Sequence, residues 1–142
     1  MASATEQKTK KGLLPSGFKF LHFHDRVGKK TFDCLIIKME DCLYVWIGDR
    51  NNPSMQDLSL AINFDFYKRT ASRESITIRP YATKILGDVA NATSLIMAKR
   101  LSRAFQKSIY VSFNITESYW IWVHVESRIR DEFETHMDLL DF

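Results

Sequence analysis

Phe18 to Gly48 reads FKFLHFHDRVGKKTFDCLIIKMEDCLYVWIG, and its punctuation decides the fold class. Three runs rich in aromatic and β-branched residues, Phe18–Arg26, Thr31–Lys38 and Leu43–Gly48, are separated only by Val27-Gly28-Lys29-Lys30 and Met39-Glu40-Asp41. Runs of this composition are strand signals, and links this short join antiparallel neighbours. The stretch is therefore expected to be a three-stranded meander. Counting outward from the turn at Glu40 and Asp41 sets Cys34 opposite about Ile47 rather than Cys42, so no disulfide joins the two cysteines. Both read as reduced packing residues.

Further along, Asn51, Asn52 and Pro53 break the chain, and Leu58, Leu60 and Ile62 then alternate with Ser59, Ala61 and Asn63 as a fourth strand. Residues 64 to 75 show no clean period and are expected to form a loop. Ile76 to Ile78 read as a short edge strand ended by Pro80. Gly87, Asp88 and Asn91 offer turn and N-cap chemistry for a helix at about 90 to 106, in which Leu95, Ala98, Leu101 and Phe105 recur at helical spacing. Ile109–Ile115 and Tyr119–Val125 read as two more strands joined by Thr116-Glu117-Ser118. Ile129, Phe133, Met137 and Leu140 mark one face of a second helix at about 126 to 139. Strands cluster instead of alternating with helices, so the fold class is α+β, an antiparallel sheet of about six to seven strands flanked by two main helices.

Residues 1–16, with Lys8, Lys10 and Lys11, form a polar leader expected to be flexible; residues 17–142 make a single domain. The 142 residues are ordinary for one core. With 45% apolar and 26% charged residues, composition favours neither disorder nor a membrane protein. The net charge of +3 comes from interspersed residues of both signs and does not by itself point to nucleic acid. No apolar run approaches the roughly 20 residues of a spanning helix, and the leader has no secretory apolar core.

Signatures of catalysis are missing. His22 and His24 share one strand face, but no third ligand stands at recognisable spacing, and His124 and His136 lie far along the chain. Gly28-Lys29-Lys30-Thr31 is preceded by Phe23 where a phosphate loop needs glycine, and it runs into a strand instead of a helix. Asp49-Arg50-Asn51-Asn52 begins like a calcium loop, but Pro53 takes a ligand position and no glutamate closes it. No cofactor, metal or catalytic residue is expected. Lys99, Arg100 and Arg103 could grip phosphates; cations toward a helix C-terminus are equally what the helix dipole favours.

Strand three is apolar on both faces, with Leu43, Val45 and Ile47 against Tyr44 and Trp46. The run 119–125 repeats this, with Ile121 and Val123 against Trp120 and Trp122. A strand apolar on both faces has to be covered on both, and two helices are few for the task. Either a partner protein covers the surplus, or the sheet curls into a sandwich and covers itself.

Several segments taken together resemble one family: HFHD at 22–25, LYVWIGD at 43–49, LSLAI at 58–62, ILGD at 85–88, ATSLIMAKRLSR at 92–103, IYVSFNI at 109–115 and ESRIRDEFE at 126–134. In order and spacing they are similar to the proteasome assembly chaperone 4 family. The resemblance implies a non-enzymatic chaperone that pairs with proteasome assembly chaperone 3. It implies that the heterodimer holds alpha-type subunits, alpha-5 the named candidate, while the alpha ring of the 20S proteasome forms, and then departs. No nucleic acid or membrane partner follows from it, and the expected location is the cytoplasm, with the nucleus second. The chain departs from the family in its leader and in a longer segment around 64–75. Interface energy concentrates in aromatic and arginine residues, which makes Trp46, Arg50, Phe64, Phe66, Tyr67 and Trp122 the candidate partner-binding residues. The alternative is an RNA-binding adaptor that uses the basic helix 95–107.

Overall fold

The computed structural model describes residues 17–63, 81–116 and 119–140. The leader, the 64–75 segment and the edge strand expected at Ile76 to Ile78 lie outside the described residues.

The meander forms as the short links demand. Strands β1 (Lys19–Val27), β2 (Lys30–Lys38) and β3 (Cys42–Asp49) pair antiparallel in succession. The register sets Cys34 opposite Ile47, and both cysteines are free thiols. The first turn uses Gly28 at φ +62°, in the left-handed region that costs glycine least. β4 (Leu58–Ile62) follows, and then β5 (Tyr81–Leu86), a strand the sequence reading left out. Helix α1 (Thr93–Phe105) leads into β6 (Ser108–Asn114).

The sheet order is β1-β2-β3-β6-β4-β5. Every pairing is antiparallel except β3 with β6. That exception arises because β6 is inserted between β3 and β4, which run antiparallel to each other, so that a strand antiparallel to β4 must lie parallel to β3. β5 and β6 both pair antiparallel with β4 between them, so β5, α1 and β6 make a split crossover whose helix packs back onto one sheet face.

The run 119–125 is not a strand. It is the first half of a long helix, α2 (Tyr119–Thr135), followed by a short turn of helix, α3 (Met137–Leu140). Ile121, Val125, Ile129 and Phe133 are all buried. Their spacing of four places them on one helical stripe. The aromatic and β-branched composition that suggested a strand is overridden by this longer pattern, which runs unbroken past residue 125.

Both long helices cover the same sheet face, where Phe23, Phe32, Cys34, Ile36, Val45, Ile47, Val111 and Phe113 form the core with Met97, Leu101 and Ile129. β4 turns its small residues, Ser59 and Ala61, toward α1 and buries them, and its leucines point the other way. Small side chains let the helix approach closely, and Ser59 Oγ meets Ser94 Oγ at 2.7 Å. α1 begins after an Asx-type turn in which Asn91 Oδ1 accepts from Thr93 N. α2 is tied to β1 through Asp25, which meets His124 Nε2 at 3.2 Å and Arg128 Nε at 3.4 Å. Partial burial alone would raise the Asp25 carboxyl, but the Arg26 amide, His124 and Arg128 outweigh it and hold the group below its ordinary value.

Candidate partner-binding surface

Strand alternation leaves a second sheet face, and among the described residues no helix lies on it. Cross-strand register assembles it row by row: Phe20, Ile37, Tyr44, Tyr110 and Leu60 in one row, His22, Leu35 and Trp46 in the next. Most of these are half-buried, while Phe20 is 59% exposed at one end and Tyr81 of β5 62% exposed at the other. The face is broad and largely apolar, with His22 and Asp33 as a polar pair at 3.6 Å.

Trp46 sits at its centre and is oriented from two directions. Its indole lies back over Gly48, where a Cβ would stand 2.3 Å from Trp46 Cζ2, so only glycine lets the ring lie there. Its Nε1 donates to the Ser54 carbonyl at 3.0 Å. The loop carrying Ser54 is itself stitched to the sheet. Gln56 N donates to Asn114 Oδ1 at 2.8 Å, and Ser112 Oγ donates to the Asp57 carbonyl at 2.6 Å. The Tyr44 hydroxyl approaches Met55 Sδ at 3.7 Å. A rigid indole flanked by half-buried aliphatics is the kind of anchor that protein interfaces use.

The remaining candidates do not gather around it. Arg50 is exposed in the turn after β3, its amide donating to the Thr31 carbonyl at 3.0 Å. Trp122 sits on α2, half-buried against the core on the opposite side of the sheet from Trp46, with the Arg100 guanidinium 5.8 Å from its ring centroid. Phe64, Phe66 and Tyr67 lie outside the described residues. What residue-by-residue selection missed is the company Trp46 keeps. Phe20, Leu35, Ile37, Tyr44, Tyr110 and Leu60 were legible as the alternate positions of their strands once the strand order was known.

Among the described residues no group of three or more His, Cys, Asp or Glu side chains is placed to hold a metal ion, and no helix is long and apolar enough to cross a membrane. The depressions of the surface are shallow and carry no nucleophile–base pair.

The family model described as proteasome assembly chaperone 4 matches residues 31–115, from the start of β2 to just past β6. The chain belongs to the proteasome assembly chaperone 4 family. Human proteasome assembly chaperone 4 is 30% identical over 115 residues, covering 80% of this chain and 83% of the human one. The mouse protein of the same name is 29% identical over 116 residues, covering 80% and 84%. A chain from the crystal structure of a novel chaperone complex for yeast 20S proteasome assembly superimposes with a TM-score of 0.60. It is 12% identical, with 83% of this chain and 96% of that one covered. At that identity the match speaks for the fold alone, an α+β sheet with helices on one side. The segment shared with the family model contains Trp46, its loop and the part of its face on β2 to β6, while β1 with Phe20 and His22 and the helix α2 lie outside it.

Proposed function

We propose that this member of the family is a non-enzymatic chaperone that promotes formation of the alpha ring of the 20S proteasome as a heterodimer with proteasome assembly chaperone 3. The observation that carries the reading is the helix-free sheet face around Trp46, in a chain whose family is that of proteasome assembly chaperones. A face with Phe20, Leu35, Ile37 and Tyr44 on it loses little conformational entropy on docking, because its strands are already ordered, and it gains roughly 25 cal/mol for each Å² of apolar surface removed from water. A chaperone sheet docked there gives a rigid platform. That platform holds an alpha-type subunit in a fixed pose and lowers the entropy cost of ordering its neighbours in the ring. No covalent chemistry is required, and the work is done in the cytoplasm, the nucleus being a second compartment.

The test is affinity purification of the tagged full chain from cells, with identification of what is bound. Recovery of a second small chaperone together with alpha-type proteasome subunits is expected. Recovery of RNA with neither of them, lost steeply as salt rises, would replace this reading with an RNA-binding adaptor.

A further inference from the structure

On the helix side, away from the Trp46 face, α1 and α2 border an open, shallow cleft of about 400 Å³ lined by Arg100, Arg103, Ala104 and Arg130. Its wall is organised by one buried carboxylate. Glu126, whose side chain is 4% exposed, accepts from Arg100 Nε at 2.8 and 3.0 Å and from Arg130 Nη2 at 2.9 Å. A single negative charge thus holds two guanidinium groups whose side chains stay partly exposed. Arg103, one turn further along α1, has no carboxylate within ion-pair distance among the described residues. Three guanidinium charges against one carboxylate leave the cleft with a local excess of two positive charges.

Ala104 belongs also to a neighbouring depression of about 290 Å³, floored by Leu43, Phe105, Phe133 and Met137. Phe105 and Phe133 stack at 4.2 Å between centroids and shape its floor, and Met137 at the rim is well exposed. The volume suits one large apolar side chain. A cationic cleft and a mainly apolar socket, whose lining also includes Lys107 and Glu134, therefore share Ala104 as a wall.

We infer that the cleft and the socket together bind an acidic segment of a protein partner, one in which a large apolar side chain stands beside carboxylates. The inference rests on the proposed function only in taking the partner to be a protein. A nucleic-acid strand fits less well, since the socket's floor of Leu43, Phe105, Phe133 and Met137 suits an apolar side chain and offers nothing to a phosphate. Among the described residues no aromatic ring lines the cleft for a base to stack on.

Fluorescence anisotropy on the purified full chain tests this with a labelled peptide Gly-Asp-Glu-Leu-Phe-Asp-Glu-Gly, its Asn/Gln counterpart, and a labelled oligouridine. The acidic peptide should bind and its amide counterpart should not. Arg103→Glu should weaken binding by about tenfold or more, the size of a lost charge-assisted hydrogen bond, with only a small drop in melting temperature, because among the described residues Arg103 pairs with no carboxylate and gives up only its favourable place in the last turn of α1. Ala104→Trp, which closes the wall between cleft and socket, should weaken it through shape alone, and serves if Arg103→Glu proves unstable. Equal binding by wild type and both variants, or binding of oligouridine in preference to the peptide, would overturn the inference. Either result would leave the proposed function standing wherever the tagged chain still recovered a second chaperone and alpha-type subunits; a wild-type chain that bound the peptide but recovered neither would separate the two in the other direction.

Discussion

Lys84 joins three segments that hydrogen-bonded strands alone do not hold together. Its Nζ lies 2.7 Å from Asp57 Oδ1, with side chains only 10% and 11% exposed, and it donates also to the carbonyls of Asp88 and Asn91 in the turn that starts α1. Asp57 in turn accepts from Phe113 N through its other oxygen at 3.4 Å. One ammonium thus pins β5, the loop before β4 and the approach to α1. Lys84→Met removes the cation while keeping the stem, and strands a buried carboxylate; such losses cost about 3–5 kcal/mol. Urea unfolding should show a drop of that size, and the double variant Lys84→Met with Asp57→Leu should recover most of it. A single variant as stable as wild type would mean that water, not Lys84, satisfies Asp57. Nothing in the sequence advertised this pair, because its members come from separate elements, one of which, β5, was itself missed between Pro80 and Gly87. The opposition of Cys34 and Ile47 was readable for the contrary reason: it depends only on counting residues from one tight turn.

At the scale of elements, what was legible and what was not divides along the length of the hydrophobic pattern. The meander was readable because each strand is short, rich in aromatic and β-branched residues, and bounded by turn residues, and α1 because Leu95, Ala98, Leu101 and Phe105 repeat over several turns. The run Tyr119–Val125 was misread because seven residues of aromatic and β-branched character satisfy a strand locally, while the helical stripe becomes visible only when Ile121 and Val125 are joined to Ile129 and Phe133 across the supposed boundary. Losing that strand also removes half of the two-faced surplus; the other half, on β3, stands as the Trp46 face. The two readings of Val123 make opposite demands. In a core-facing strand, Val123→Ala would cost at least about 1 kcal/mol through lost burial. On α2, where Val123 is 40% exposed, alanine exchanges a stiff β-branched side chain for the best helix former, and stability should hold or rise by about 0.5 kcal/mol. Thermal denaturation of the single variant decides between them, and a marked loss would contradict the helix.

For the molecule as a whole, placing both long helices on one side of the sheet leaves the two sides with different work. The helix side closes the core of the chain itself, and its charged groove between α1 and α2 is a separate surface. Among the described residues the Trp46 side packs against no helix, and under the proposed function its half-buried aliphatics meet another sheet. This separation makes the interface testable without unfolding the chain. Ile37 stands in the middle of the open face, between Phe20 and Tyr44 in register. Ile37→Lys gives the isolated chain a side chain that can extend its ammonium into water, for a cost of about 1 kcal/mol of burial. In a docked heterodimer the same ammonium would be trapped without a partner, at about 3–5 kcal/mol, which is a loss in affinity of about 100-fold or more. Co-expression with proteasome assembly chaperone 3 and size-exclusion chromatography should therefore find the variant folded but alone. Val123→Lys, on the exposed side of α2, should elute with its partner. If Ile37→Lys pairs as well as wild type while Val123→Lys does not, the chaperone partner sits on the helices and the open sheet must serve something else.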